Sequence, residues 1–89
     1  MKTYSWDTKK NETLKKLRGI SFEEIVYYLS AGHLMDVIDN NKYPDQSIFV
    51  IEMNKYIYLV PFKETENQIT LITIFKSRKA TKKYLKSRK

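Results

Sequence analysis

The spacing of the apolar residues changes along this 89-residue chain, and that change decides the class of fold. From residue 8 to residue 31 the apolar side chains recur every three or four positions, as on one face of a helix. From residue 47 to residue 75 the chain is rich in Ile, Val, Phe and Tyr and is divided by short polar turns, as in a set of strands. Helices followed by a run of strands predict a single α+β domain over residues 1–89, and short connections favour antiparallel pairing.

Two helices are predicted in the first part of the chain. The first covers about residues 8–18, with Asp7 as its N-cap and Gly19 as its stop. The second covers about residues 22–31 and is preceded by S-F-E-E at residues 21–24. This motif is a capping box, in which the serine caps the helix and the second glutamate reaches back to the serine amide.

Four strands are predicted around these helices. They are an opening strand at residues 2–6 and a run of three at residues 47–53, 56–62 and 68–75. Asn54 and Lys55 form the turn of a hairpin between the first two strands of that run. Pro61 lacks an amide donor, so the strand is expected to end or bulge there. Residues 33–38 are mixed, and the segment that follows them is a loop.

A basic helix at residues 78–86, fraying toward Lys89, completes the order β-α-α-β-β-β-α. The two N-terminal helices are expected to cover one face of an antiparallel sheet, which leaves the other face free for a ligand. If the face with Ile57 and Leu59 meets those helices, Tyr56 and Tyr58 point outward beside the basic helix.

The net charge of +7 is concentrated at one end of the chain. Residues 1–75 hold 9 basic and 10 acidic side chains, whereas residues 76–89 hold no acid. The basic residues of this end are Lys76, Arg78, Lys79, Lys82, Lys83, Lys86, Arg88 and Lys89. Such an asymmetry is typical of a chain that binds a polyanion or an acidic partner, although a solubilising tail has the same composition.

Several function classes lack the residues that they need. The absence of cysteine excludes disulfides, thiolate metal sites and thiol nucleophiles, and one histidine excludes a zinc site built mainly from His. His33 follows a helix end, where a capping role is favoured over acid–base catalysis. Glu23 and Glu24 point about 100° apart on a helix, so they do not form a catalytic pair. The chain has no apolar run of membrane-spanning length and no signal peptide, which predicts a cytoplasmic protein.

Motifs near both ends of the chain occur in a recognisable order. Residues 6–10 read W-D-T-K-K, residues 19–24 read G-I-S-F-E-E, and residues 77–83 read S-R-K-A-T-K-K. These motifs resemble those of BrnT-family toxins, in which W-D-x-x-K is followed by K-H-G, F-E-E and S-A-R-x-A-T. The stretches K-Y-P-D-Q at residues 42–46 and Y-L-V-P-F at residues 58–62 are similar to a subgroup of these toxins.

The resemblance implies a RelE-like fold and a toxin of a type II toxin–antitoxin system that cleaves mRNA and inhibits translation. It also implies a BrnA-like, ribbon-helix-helix antitoxin as partner and binding to operator DNA only through the complex with that antitoxin. No cofactor or metal is expected, because the 2′-hydroxyl of RNA is the nucleophile. The expected catalytic residues are Arg78, Lys79, Lys63, Glu64 and Tyr58, of which Arg78 is the first choice for binding phosphate. The expected RNA-binding residues are Lys76, Lys82, Lys83, Tyr56 and Tyr84.

The chain also departs from the family pattern, both in the hairpin loop, which lacks an arginine after Glu64, and at four further positions. Leu14, Leu17, Arg18 and Thr73 stand where the family favours Asn, Lys, His and Arg. The loss of cations and of a histidine favours an alternative, a non-catalytic degenerate toxin that binds its antitoxin or nucleic acid. A third hypothesis is DNA binding through the basic helix alone.

Overall fold

A computed structural model describes residues 2–85, and Lys86 to Lys89 of the predicted basic end lie outside these residues. The described chain contains three helices and one sheet, which confirms the α+β class. In chain order the elements are β1 (Thr3–Ser5), α1 (Thr8–Arg18), α2 (Phe22–Ser30), β2 (Leu34–Asp39), β3 (Ser47–Met53), β4 (Tyr56–Glu64), β5 (Gln68–Leu71), β6 (Phe75–Lys76) and α3 (Arg78–Leu85).

The first two helices begin where the sequence predicts. The Asp7 carboxylate accepts a hydrogen bond from the backbone N–H of Lys10 at 3.1 Å, and the Ser21 hydroxyl accepts one from the N–H of Glu24 at 3.2 Å. Helix α1 ends at Gly19, which has a φ of 65°. Glycine adopts this left-handed conformation without the steric cost that a Cβ would bring.

The sheet has the strand order β1-β5-β4-β3-β2, with β6 beside β4. Strand β1 runs parallel to β5, so the expectation of a wholly antiparallel sheet is wrong. Short turns impose antiparallel pairing only on strands that are neighbours in the chain. Thr3 pairs with Gln68, 65 residues further along the chain, and no turn sets the direction of that pair.

The segment at residues 34–39, which the sequence did not predict as a strand, forms the edge strand β2. Most of its side chains are exposed, so it lacks the apolar alternation by which a half-buried strand is recognised. Backbone pairing with β3 holds it in place, with an irregularity between Leu34 and Asp36.

Strand β4 continues through Pro61, so the prediction that it ends or bulges there was wrong. The prediction of one strand at residues 68–75 was also wrong, because that segment is divided into β5 and β6. The Pro61 carbonyl accepts a hydrogen bond from the N–H of Ile72 at 2.8 Å, on the side of β4 that faces β5 and β6. The N–H and C=O of a strand residue point toward the same neighbour. The missing donor of Pro61 therefore faces the gap between β5 and β6, where the sheet does not need it.

Strands β3 and β4 form the predicted hairpin, in which Met53 pairs with Tyr56. Asn54 and Lys55 have φ angles of 55° and 64°. Two positive φ angles are typical of the type I′ turn, which matches the twist of the strands.

Both faces of the sheet are covered in part. Helices α1 and α2 contribute Leu14, Phe22 and Ile25 to a core with alternate residues of β3 and β4, among them Ile51 and Val60. Because helices lie against both faces of the sheet, the β4 side chains are apolar on both faces. The alternation of residues along β4 therefore does not show which face meets α1 and α2.

Helix α3 lies against the opposite face. The N–H of Ile57 donates to Oγ1 of Thr81 at 2.9 Å, and the N–H of Ser77 donates to the Ile57 carbonyl at 3.0 Å. Leu59 lines a cavity together with residues of α3, so Ile57, two positions away on the same face of β4, also faces α3. Tyr58 instead packs on the core that α1 and α2 cover. The expected orientation of β4 and the wholly free sheet face were both wrong.

Candidate functional site

A cavity of about 400 Å³ opens where α1, β4 and β6 meet. Its lining residues are Arg18, Ile20, Tyr58, Ile74, Phe75 and Lys76. Helix α1 presents Arg18 from its last turn, and the two strands present Tyr58 and Lys76 as a directly opposed pair. The sheet register thereby places two cations and a tyrosine around one concave surface, which we call the small cavity.

Lys76 combines a positive charge with two aromatic rings. Its Nζ lies 4.7 Å from the ring centroid of Tyr56 and 5.9 Å from that of Tyr58. The two tyrosine rings are 6.2 Å apart. An ammonium within about 6 Å of a ring centroid is attracted by the ring quadrupole. This arrangement offers a charge for an anion and ring faces for a planar group in one place.

Arg18 lies on the other side of the small cavity. Its Nη1 donates a hydrogen bond to the Ile74 carbonyl at 2.5 Å, which uses one of the five guanidinium N–H donors. Reasoning from the sequence did not select Arg18 as a site residue. The signal that could have selected it is the resemblance described above, in which Arg18 stands where histidine is favoured.

Two of the expected catalytic residues lie far from Tyr58. Lys63 and Glu64 are five and six positions further along β4, a distance of about 17–20 Å at the rise of a β-strand. The Nζ of Lys63 lies 3.2 Å from Oδ2 of Asp45, and Glu64 forms an ion pair with Lys2. These two residues do not share a site with Tyr58.

None of the expected residues of α3 lines the small cavity, although Arg78 follows it closely in the chain. Arg78 begins α3 two positions after Lys76, within about 7 Å of extended chain from it. Lys79, Lys83 and Tyr84 line a separate cavity of about 190 Å³ beside Leu59. Lys82, also on α3, is exposed.

Tyr84 connects α3 to the edge strand. Its hydroxyl donates to Oδ2 of Asp36 at 2.9 Å, and this bond, with smaller contributions from desolvation and the negative charge of Asp36, raises the pKa of Tyr84. The nearby Lys83 has its Nζ 5.5 Å from the centroid of the Tyr84 ring. A hydroxyl that is bound to a carboxylate in this way holds the helix in place.

His33 and Glu23 have structural partners. The N–H of His33 donates to the Tyr28 carbonyl at 3.0 Å, and its Nδ1 lies 3.1 Å from the Glu52 carbonyl. Glu23 accepts a hydrogen bond from Nδ2 of Asn11 at 2.8 Å, which is the main reason why the pKa of Glu23 is lowered. The backbone of His33 caps the end of α2, as the sequence predicts, while its ring lies against β3; Glu23 joins α1 to the start of α2.

Comparison of the chain with protein-family models, with curated proteins and with solved structures gave no match. Within residues 2–85, no helix combines the length and the apolar character needed to cross a membrane. In the same part of the chain, no three His, Asp or Glu side chains are grouped so as to hold a metal ion.

Proposed function

We propose that this chain is the toxin of a type II toxin–antitoxin pair, with a RelE-like fold and metal-independent endoribonuclease activity on mRNA. The observation that carries the proposal is the small cavity, which is lined by Arg18, Tyr58 and Lys76 and whose Lys76 also lies against the neighbouring Tyr56. Cations beside aromatic rings are the usual means of binding single-stranded RNA, and the rings of Tyr56 and Tyr58 are only partly buried. The motifs at residues 6–10, 19–24 and 77–83 support the same function.

The reaction requires charge stabilisation and proton transfer. The 2′-hydroxyl of the RNA attacks the adjacent phosphorus, the bond to the 5′-oxygen breaks, and a cyclic phosphate remains. Negative charge develops on the phosphate oxygens, and Arg18, Lys76 and Arg78 stabilise it. The Tyr58 hydroxyl donates a proton to the leaving 5′-oxygen. Bulk water accepts the proton that the 2′-hydroxyl loses and returns a proton to the Tyr58 phenolate, which restores the starting state.

The proposed partner is a ribbon-helix-helix antitoxin that covers the basic surface of the toxin. Such a partner would neutralise the toxin by occupying the cations that otherwise bind RNA. Binding to operator DNA would then belong to the complex, because the antitoxin supplies the DNA-binding module.

One observation favours the non-catalytic alternative. None of the described residues that line the small cavity is a carboxylate or a histidine, and Glu64 is held by Lys2 at the far end of β4. A degenerate toxin would retain the cations and rings that bind RNA without a side chain that removes the 2′-hydroxyl proton.

Expression without antitoxin tests the proposal. We expect growth arrest and cleavage of defined mRNA by the purified protein in the presence of a metal chelator. Lys76→Ala and Arg78→Ala should each relieve both effects, whereas Lys16→Ala, which removes an exposed charge from α1, should not. A wild-type protein that binds RNA but cleaves none would establish the non-catalytic alternative.

A further inference from the structure

A second cavity, which we call the large cavity, lies between α1, the loop between β2 and β3, and the segment between β5 and β6. Its volume is about 610 Å³, within the roughly 300–1,000 Å³ typical of ligand-binding clefts. Its floor is apolar and comes from Ile48, Pro61 and Ile72. The loop between β2 and β3 forms one of its walls.

The charge at the rim of the large cavity is positive. Lys10 and Lys42 both line it, and none of its ten lining residues in the described chain is acidic. Lys10 belongs to the W-D-T-K-K motif and Lys42 to the K-Y-P-D-Q stretch, neither of which contributes to the small cavity. Two lysines around an apolar floor favour a ligand that joins a planar apolar group to an anion.

Two exposed aromatic rings complete the large cavity. Tyr43 is 50% exposed and Phe75 is 37% exposed, although large apolar rings are usually buried. The Nζ of Lys42 lies 5.8 Å from the centroid of the Tyr43 ring. The combination of a lysine and an aromatic ring in the small cavity is therefore repeated here.

The loop that presents Lys42 and Tyr43 is held by hydrogen bonds. The Asn40 Oδ1 accepts from the N–H of Lys42 at 3.0 Å and from the N–H of Tyr43 at 3.2 Å. The N–H of Gln46 donates to the Tyr43 carbonyl at 2.9 Å. A loop that is already ordered loses less conformational entropy when a ligand binds.

The two cavities adjoin each other. Phe75 lines both, and Ile72 and Thr73 of the large cavity are followed directly in the chain by Ile74 of the small one. We propose that the large cavity binds a second nucleotide of the same RNA strand, with its base on Tyr43 or Phe75 and its phosphate at Lys10 and Lys42. This inference rests on the proposed function, since the small cavity must hold RNA.

The test measures binding of the full chain to RNA that carries 2′-O-methyl groups, so that cleavage does not interfere. We expect Tyr43→Ala to weaken binding of an oligonucleotide of about 12 nucleotides by fivefold or more. The matched control is Tyr27→Ala, which removes an exposed tyrosine from α2 and should leave affinity unchanged. The double variant Lys10→Ala, Lys42→Ala should bind RNA with a weaker salt dependence. The slope of the logarithm of the binding constant against the logarithm of the salt concentration should become less steep by about 0.7 for each lost phosphate contact.

Four outcomes would overturn the inference. They are no binding of the oligonucleotide by the wild type, equal affinity of the Tyr43→Ala variant and the wild type, equal losses for Tyr43→Ala and Tyr27→Ala, and competition by polyglutamate as effective as that by RNA. If Tyr43→Ala weakens binding while the wild type cleaves no RNA, the second nucleotide site stands and the ribonuclease activity falls. If the wild type cleaves RNA and the Tyr43→Ala variant binds as tightly as the wild type, the ribonuclease activity stands and the second nucleotide site is refuted.

Discussion

Arg18 and Ile74 are 56 residues apart in the chain and are joined by a hydrogen bond from the guanidinium Nη1 to the backbone carbonyl. The bond connects the last turn of α1 to the segment between β5 and β6. These are the two sides of the small cavity, and both residues line it. The bond therefore ties the end of α1 to the segment before β6 at the proposed RNA site.

We expect Arg18→Ala to lower the free energy of unfolding by about 1–2 kcal/mol, because the bond to the Ile74 carbonyl is lost. Urea denaturation monitored by circular dichroism measures this loss. Lys16→Ala removes the same charge from the same helix and should change stability by less than about 0.5 kcal/mol. Equal stability of the two variants would mean that the Arg18 bond contributes nothing.

Asn11 joins α1 to α2 and is only 3% exposed. Its Oδ1 accepts from the N–H of Phe22 at 2.8 Å, and its Nδ2 donates to Glu23. We expect Asn11→Ala to cost about 2–4 kcal/mol, because the buried N–H of Phe22 loses its partner and a small cavity forms. Thermal and urea unfolding measure this cost.

The isosteric Asn11→Asp variant provides the control. It keeps an acceptor for the Phe22 N–H but places a second carboxylate against Glu23. We therefore expect it to be more strongly destabilised at neutral pH than in mild acid, where a carboxylate is protonated. A loss that does not change with pH would show that the contact with Glu23 is unimportant.

The helix ends could be predicted from the sequence because their causes are local. Asp7, Ser21 and Gly19 each act on backbone groups within four residues of themselves, so a short motif contains the whole interaction. The parallel pairing of β1 with β5 and the bond of Arg18 to Ile74 join distant segments. No local pattern specifies such contacts.

The residues of the candidate site could be predicted only in part. Tyr56, Tyr58 and Lys76 were all selected from the sequence, and the pairing of β4 with β6 brings them together. Lys63 and Glu64 were selected by residue type, but each step along a strand adds about 3.4 Å and moves them away from Tyr58. A selection by residue type alone does not take this distance along the strand into account.

The pKa of Glu23 lies below its ordinary value of 4.5, mainly because the Asn11 amide donates to its carboxylate. The folded state thus favours the ionised form, and the resulting stabilisation is complete above the unfolded pKa and is lost as pH falls through the lowered folded pKa. We expect Glu23→Gln to be less stable than the wild type at about pH 7, with the difference becoming smaller as the pH falls below 4.5. Thermal unfolding over this range measures the difference. In an Asn11→Ala background the difference should vary less with pH, because the main cause of the lowered pKa of Glu23 is removed.

Tyr84 shows the opposite shift. Its hydroxyl donates to Asp36, so its pKa is raised above the ordinary value of 10.0 and the neutral form is favoured in the folded state. The stabilisation is complete below pH 10.0 and is lost as pH rises through the raised pKa. The difference in phenolate absorbance between wild type and Tyr84→Phe should therefore titrate above pH 10.0. Asp36→Asn should move that titration to lower pH, and Tyr84→Phe should speed amide hydrogen exchange in α3.

Tyr58 and Tyr56 lie on the same face of β4 and are both near Lys76, but only Tyr58 lines the small cavity. If the Tyr58 hydroxyl donates the proton to the leaving group, Tyr58→Phe should reduce the cleavage rate by about 100-fold or more while leaving RNA affinity nearly unchanged. Single-turnover cleavage and equilibrium binding to 2′-O-methyl RNA measure the two quantities separately. Tyr56→Phe is the matched control, since it removes a neighbouring hydroxyl and should preserve both. A Tyr58→Phe protein that cleaves at the wild-type rate would restrict Tyr58 to stacking, and the proton would then have to come from another group.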